Sequence, residues 1–119
     1  MHWNELDVWK KAHELVLEIY KVTVNFPREE IYGLTSQLKR AAMSVPSNIV
    51  EGNARRTTKD YIHFLYTSRG SLEEVRYDIL LAQELQFLSV RAYHHLEQLA
   101  ETVSKLLNGL VSSLERKIK

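Results

Sequence analysis

No cysteine occurs in the 119 residues, which excludes disulfides and thiolate chemistry and makes a reducing cytosol the expected compartment. Long apolar runs are also missing. The longest is Ile79 to Ala82, far short of the ~20 residues a membrane span requires. The opening residues, MHWNELDVWKK, lack the basic-then-apolar order of a signal peptide. There is no internal repeat, no P-loop and no dinucleotide fingerprint. Di-iron bundles need paired Glu-x-x-His motifs, and none occurs; the nearest, Asp60-x-x-His63, appears once and puts His63 on an outer helix face. His94 and His95 are adjacent, so on a helix they point about 100° apart and are poor joint ligands. Ser44, Ser47 and Ser71 have no histidine and acid at a recognisable spacing. The expectation is a soluble, non-enzymatic chain with no catalytic residues, metal or cofactor.

What is present is helical rhythm. A hydrophobic content of 45% in 119 residues suffices for one core, so residues 1–119 read as one domain whose tail, about 115–119, frays. The stretch Gln37 to Arg56 organises the rest. At 100° per residue, Leu38, Ala41, Val45, Ile49 and Gly52 share one face. The opposite face carries Arg40, Ser44, Ser47, Glu51 and Arg55, with Asn48 beside them. Serines among the charges leave room for another backbone. Pro46 has no amide hydrogen and crowds the carbonyl of Ala42. Because the rhythm keeps its phase from Leu38 to Ile49, one kinked helix is expected here, not two short ones.

Three further helices surround this one. Asn4 or Asp7 caps a first helix that runs to about Asn25, with Trp9, Ala12, Val16, Ile19, Tyr20 and Thr23 inside and Leu15 and Val22 widening the stripe. Phe26-Pro27 ends it, and PREEIYG forms a connection with room for a helical turn. The second helix spans about Leu34 to Arg55. Thr57 or Thr58 caps the third, with Asp60 in its first turn. Its inner stripe, Tyr61, Leu65, Ser68, Leu72, Val75, Ile79 and Ala82, has heptad spacing. A second stripe, Ile62, Tyr66, Gly70, Tyr77, Leu80 and Leu81, lies outside it. After Gln86-Phe87, Ser89 caps a fourth helix built on Tyr93, Leu96, Ala100, Val103, Leu107, Leu110 and Leu114. Short connections make neighbours antiparallel, so the fold is an all-α, up-and-down antiparallel four-helix bundle. Levelling helices two and three about their turn sets Pro46 and Ser47 against Thr67 and Ser68, Ala42 to Ser44 against Gly70, Arg40 near Glu73 and Lys39 near Glu74.

Net charge is only +1, but it is unevenly placed. Residues 31–59 carry Lys39, Arg40, Arg55, Arg56 and Lys59 against Glu51 alone, while residues 60–101 have a net charge of −4 and Lys105 to Lys119 one of +3. Such asymmetry suits a polyanion or an acidic partner. It also suits acidic and basic helices lying side by side.

Three motifs, FPREEIYGLTSQ, QLKRAAMSVPSNIVEG and FLYTSRGSLEEV, stand in this order within Leu6 to Leu110. In them the chain resembles the four-helix-bundle proteins encoded in intervening sequences of 23S ribosomal RNA genes, the S23 ribosomal protein-like family. The resemblance implies a small up-and-down bundle that assembles into a ring, a homopentamer. It extends to a relative, the accessory variability determinant of diversity-generating retroelements, which has a basic surface and works with nucleic acid and a reverse transcriptase. This chain departs from that relative in its modest basic content and in Glu97 and Glu101 on the fourth helix.

Two readings of function follow. In one, the protein is an RNA- or DNA-binding accessory module, contacting phosphates through Lys39, Arg40, Arg55, Arg56, Lys59 and Arg69. In the other it is a protein–protein scaffold without nucleic acid. Either way, self-association is expected. Ile62, Tyr66, Tyr77, Leu80 and Leu81 would leave an apolar patch that monomers rarely expose. Gly70 belongs to that same stripe, and Ser44 and Ser47 beside Asn48 on helix two offer the small complementary surface of a head-to-tail ring.

Overall fold

The computed structural model describes residues 1–118 and comprises four α-helices: α1 Asp7–Thr23, α2 Leu34–Asn53, α3 Thr58–Glu84 and α4 Val90–Lys117. Short 3-10 turns, Trp3–Glu5 and Arg28–Glu30, precede α1 and α2. No strand occurs among the described residues. Lys119, the last residue of the tail expected to fray, lies outside them, and α4 remains helical to Lys117.

Local chemistry sets the helix ends. The Thr57 hydroxyl accepts from the Asp60 amide at 3.1 Å, and the Ser89 hydroxyl accepts from the Ala92 amide at 3.0 Å. The start of α1 corrects the sequence reading. Leu6 occupies the capping position without a side-chain bond, so neither Asn4 nor Asp7 caps, and Asp7 sits in the first turn. At the end of α3, Gln86 adopts a φ of 67°, while the Phe87 amide donates to the Ala82 carbonyl at 2.9 Å and the Gln86 amide to Gln83 at 3.0 Å. This is a Schellman close, with glutamine in the left-handed position that glycine usually takes.

Each helix packs on its two neighbours and none on its diagonal partner. Side-chain pairs show neighbours to be antiparallel: Ser44 with Ser71 and Gln37 with Asp78 between α2 and α3, Tyr66 with Glu115 and Arg76 with Glu101 between α3 and α4. The result is an up-and-down bundle about 47 Å long. Leu15, Ile19, Leu38, Ile49, Leu65, Leu72, Ile79, Leu96 and Leu107 fill its axis. The α2 stripe is buried as its rhythm predicts. In α1 the buried arc is rotated: Val8, Ala12, Leu15, Ile19 and Thr23 point inward, Trp9 and Val16 are half-buried, and Tyr20 is exposed.

Pro46 is buried and α2 runs unbroken through it, so the two-helix alternative is excluded. Donors gather on the carbonyls just before the proline. The Ser68 hydroxyl donates to the Val45 carbonyl and the Asn48 amide to that of Ser44, each at 2.8 Å. The Ser44 hydroxyl also shares a 2.8 Å bond with that of Ser71. Small polar side chains thus join α2 to α3 at the predicted level. The residue that permits the close approach is Gly52, not Gly70. A Cβ on Gly52 would stand 2.9 Å from the Cβ of Phe64, whereas one on Gly70 would meet nothing within 4 Å.

Candidate nucleic-acid interface

The antiparallel chain course brings the end of α2, the start of α3 and the end of α4 to the same end of the bundle. Arg55, Arg56 and Lys59 lie there, all exposed, in the turn between α2 and α3 and the first turn of α3. Arg116 and Lys117 arrive at the same end on the last turn of α4. A cavity of ≈ 290 Å³ lies between the start of α3 and the end of α4, lined by Lys59, Ile62, His63 and Tyr66 on one side and by Glu115 and Ile118 on the other; of the five cations only Lys59 reaches it. The basic turn and the basic tail, far apart in the sequence, therefore reach the same end of the bundle. It is not purely basic: Glu51, Asp60 and Glu115 share it. Arg55 lies 3.9 Å from Glu51 as a loose ion pair, and its guanidinium stacks 4.4 Å over the Phe64 ring.

The other three basic candidates lie elsewhere. Lys39 and Arg40 are on the first half of α2, about 20 Å from its last residue, Asn53, at 1.5 Å per residue. Arg69 is on the α3–α4 face, over the Tyr66 ring at 4.7 Å and bonded to Asn108 at 3.1 Å. The predicted pairs Arg40–Glu73 and Lys39–Glu74 do not form. Lys39 turns toward α1 and sits 4.7 Å over the Tyr20 ring, while Glu73 takes Arg76. Arg76 also bridges to Glu97 at 2.5 Å and Glu101 at 3.0 Å. The acidic charge of α4 is therefore largely spent on an α3 arginine. Arg76 belongs to the same acidic stretch, residues 60–101, as these partners, so the network does not pair the basic α2 with an acidic helix.

The proposed association surface needs three corrections. Ile62 is not outside: it is 6% exposed and belongs to the core, because the start of α3 leans on the end of α4. Leu81 is half-buried against that core. Ser44 and Asn48 are half-buried and bonded to each other along α2, and Ser44 also holds Ser71, so Ser44 serves the α2–α3 contact within the protomer. Ser47 stays exposed, in a cleft with Trp3 and Trp9. What remains open on α3 is a straight line of Tyr66 (40% exposed), Gly70, Tyr77 (61%) and Leu80 (37%), interrupted by Glu73. The Tyr66 hydroxyl donates to the Glu115 carboxylate, which holds its proton on and raises its pKa above the ordinary tyrosine value.

One polar residue in the core escaped the sequence reading. Asp78 is wholly buried on α3, its Oδ1 accepting from the Gln37 amide at 3.1 Å and its Oδ2 without a partner in the protein. Burial pushes its pKa up, the Gln37 bond opposes this, and nearby Glu74 adds to the rise. The signal was available in the register: one heptad along from the Ser44–Ser71 pair, α2 offers Gln37 and α3 offers Asp78. Among the described residues no group of three or more histidines and acids could hold a metal, and no helix is long and apolar enough to cross a membrane.

A family model described as 23S rRNA-intervening sequence protein matches residues 4–109. A solved structure from Bacteroides thetaiotaomicron, described as a protein with unknown function from the S23 ribosomal protein family, superposes with a TM-score of 0.79. Its sequence identity is 22%, over 87% of this chain and 97% of that one, a likeness that carries the four-helix architecture. No curated protein matches the chain.

Proposed function

This chain belongs to the 23S rRNA-intervening sequence protein family, and we propose that it is a non-enzymatic, oligomeric bundle that binds RNA as an accessory module. The observation that supports this reading is the meeting of Arg55, Arg56 and Lys59 with the Arg116–Lys117 end of α4 around one bundle end. Exposed cations of this kind engage phosphates without reading bases, so affinity falls steeply with salt. Copies join in a ring through the exposed line on α3, Tyr66, Gly70, Tyr77 and Leu80, and the ring repeats the basic end around its axis. The number five comes from the resemblance to pentameric relatives, not from the geometry. As in the retroelement relative, a reverse transcriptase is a candidate protein partner.

A gel-shift series with structured RNA at several salt concentrations tests the reading. Wild type should shift the RNA, with log affinity falling linearly in log salt. Replacing Arg55, Arg56 and Lys59 with glutamine should remove the shift while helicity is kept. Equal shifts by wild type and the triple variant would refute this site.

The second reading is a protein scaffold without nucleic acid. The exposed tyrosines and leucine of α3 favour it, since they are suited to helix packing and not to phosphate. Absence of any RNA shift, together with a stable ring, would select it.

A further inference from the structure

We propose that the groove between α1 and α2 receives α3 of a second copy of this chain, in a head-to-tail contact. This contact rests on the oligomeric part of the proposed function and is independent of RNA. Two cavities open along the α1–α2 seam. One, of ≈ 430 Å³, has Trp3, Trp9, Pro46 and Val50 in its walls; the other, of ≈ 450 Å³, has Tyr20, Ile31, Lys39 and Met43. α1 and α3 are diagonal in the bundle, so this groove and the exposed line on α3 are different faces. Unlike faces that meet make a contact able to close into a ring.

Register matches the two faces. Within the bundle Ser44 stands level with Ser71 and Gln37 with Asp78, which sets Tyr66 level with Ile49 and Tyr77 level with Leu38. A ring whose axis runs along the bundle shifts no residue along that axis, so α3 meets its neighbour at these same levels. Tyr66 and Tyr77 lie about 16 Å apart along α3 at 1.5 Å per residue. The α2 residues of the two cavities, Pro46 to Glu51 and Thr35 to Met43, centre about 15 Å apart by the same measure. Each tyrosine therefore comes level with one cavity. Gly70 comes level with Val45, between the cavities, where a missing side chain lets the helix lie against the seam.

Charge agrees with register. Lys39 and Arg40, at the second cavity, have no carboxylate partner among the described residues, and Glu74 on α3 has no cation. Glu74 comes level with Ala41, one residue from Arg40. The basic α2 of one copy thus meets the acidic α3 of the next, a pairing that the protomer does not make internally.

The chain has no cysteine of its own, so engineered ones report the contact cleanly. The Tyr20–Met43 bond levels α1 with α2 and sets Leu17 within about one residue's rise of Gly70. Leu17 is 50% exposed, and a Cβ on Gly70 meets nothing within 4 Å. Leu17→Cys and Gly70→Cys, combined in one chain and treated with a short bis-maleimide, should give a ladder of covalent multimers on a denaturing gel. Neither single variant should link. Linkage in a single variant would mean that like faces meet, and would overturn the head-to-tail contact. An oligomeric double variant that stays unlinked would overturn it too, with the oligomer left standing. A wild type that is monomeric by light scattering would instead overturn the oligomeric reading and this contact together. Arg40→Glu should raise the dissociation constant of the oligomer several-fold, and Arg40→Glu/Glu74→Lys should restore it. A double variant as weak as Arg40→Glu alone would overturn the pairing at Arg40.

Discussion

Gly52→Ala should destabilise the bundle even though alanine is the better helix former. In an open helical position the change would gain about 1 kcal/mol. Here the new Cβ would stand 2.9 Å from the Cβ of Phe64, 2.9 Å from Cδ1 of Tyr61 and 3.2 Å from the Tyr61 carbonyl oxygen. The Phe64 Cβ and the carbonyl are fixed to the α3 backbone, so rotating a side chain cannot relieve the clash. The helices must part at this level, which strains the 2.8 Å Ser68–Val45 and Ser44–Ser71 bonds further along the same seam. Overpacking of this kind costs about 1–3 kcal/mol. Since the backbone itself has to move, the upper half of that range applies, and after the helix gain a net loss of about 1–2 kcal/mol remains. That corresponds to a fall in Tm of roughly 3–10 °C for a chain of this size. Urea unfolding followed by helical circular dichroism, at one fixed protein concentration, measures it directly. Gly109→Ala is the internal control, because a Cβ there meets nothing within 4 Å and should stabilise by up to about 1 kcal/mol. If Gly52→Ala proves as stable as wild type while the control gains as expected, the close α2–α3 approach is wrong.

Asp78→Asn should stabilise the protein at neutral pH, on the order of 1 kcal/mol, because burial disfavours the charged form of a carboxyl and an amide has no charged form to disfavour. The folded-state pKa is raised above 3.8, so the wild type is favoured by this group below that value and loses the benefit as pH rises through the folded pKa. The advantage of the variant should grow over that window, and an advantage that stays constant with pH would count against ionisation as the cause. Light scattering at micromolar concentration should give a multiple of 13.9 kDa, and Tyr77→Glu with Leu80→Glu should return the mass to the monomer without loss of helicity. A wild-type monomer removes the ring, and a double variant that still assembles moves the contact off α3.

Helix number, boundaries and the α2–α3 register were legible in the sequence because each depends on local periodicity and turn length. Leu38, Ala41, Val45, Ile49 and Gly52 recur at helical spacing, and a short turn leaves antiparallel partners almost no freedom to slide. Which flank of an apolar arc points inward was harder to read. On α1 a wheel weighs Trp9 and Tyr20 like any apolar residue, yet both have polar edges that tolerate the rim, and the arc centred on Ala12, Leu15 and Ile19 takes the core. The same ambiguity misplaced Ile62. A helix with two neighbours buries two stripes, so a second stripe is surplus only along the stretch its neighbour leaves uncovered. Subtracting Ile62 and Leu81 narrows the association surface of α3 to a line that Glu73 interrupts.

That narrowing bears on function as much as on assembly. Charge counted along the sequence placed five basic groups in one window, but α2 holds Lys39 and Arg40 about 20 Å from its C-terminal end, beyond which Arg55, Arg56 and Lys59 lie. Chain topology, which residue spacing alone does not contain, then adds Arg116 and Lys117 to the far end. A single strong anion site is therefore the wrong expectation for this molecule. If the basic end is the RNA contact, its few cations gain avidity for a long polyanion only when copies in a ring repeat them. Ring disruption by Tyr77→Glu with Leu80→Glu should accordingly weaken binding of a long structured RNA far more than it weakens binding of a short oligonucleotide that reaches one subunit only. Equal losses for the two ligands would refute the link between assembly and nucleic-acid affinity.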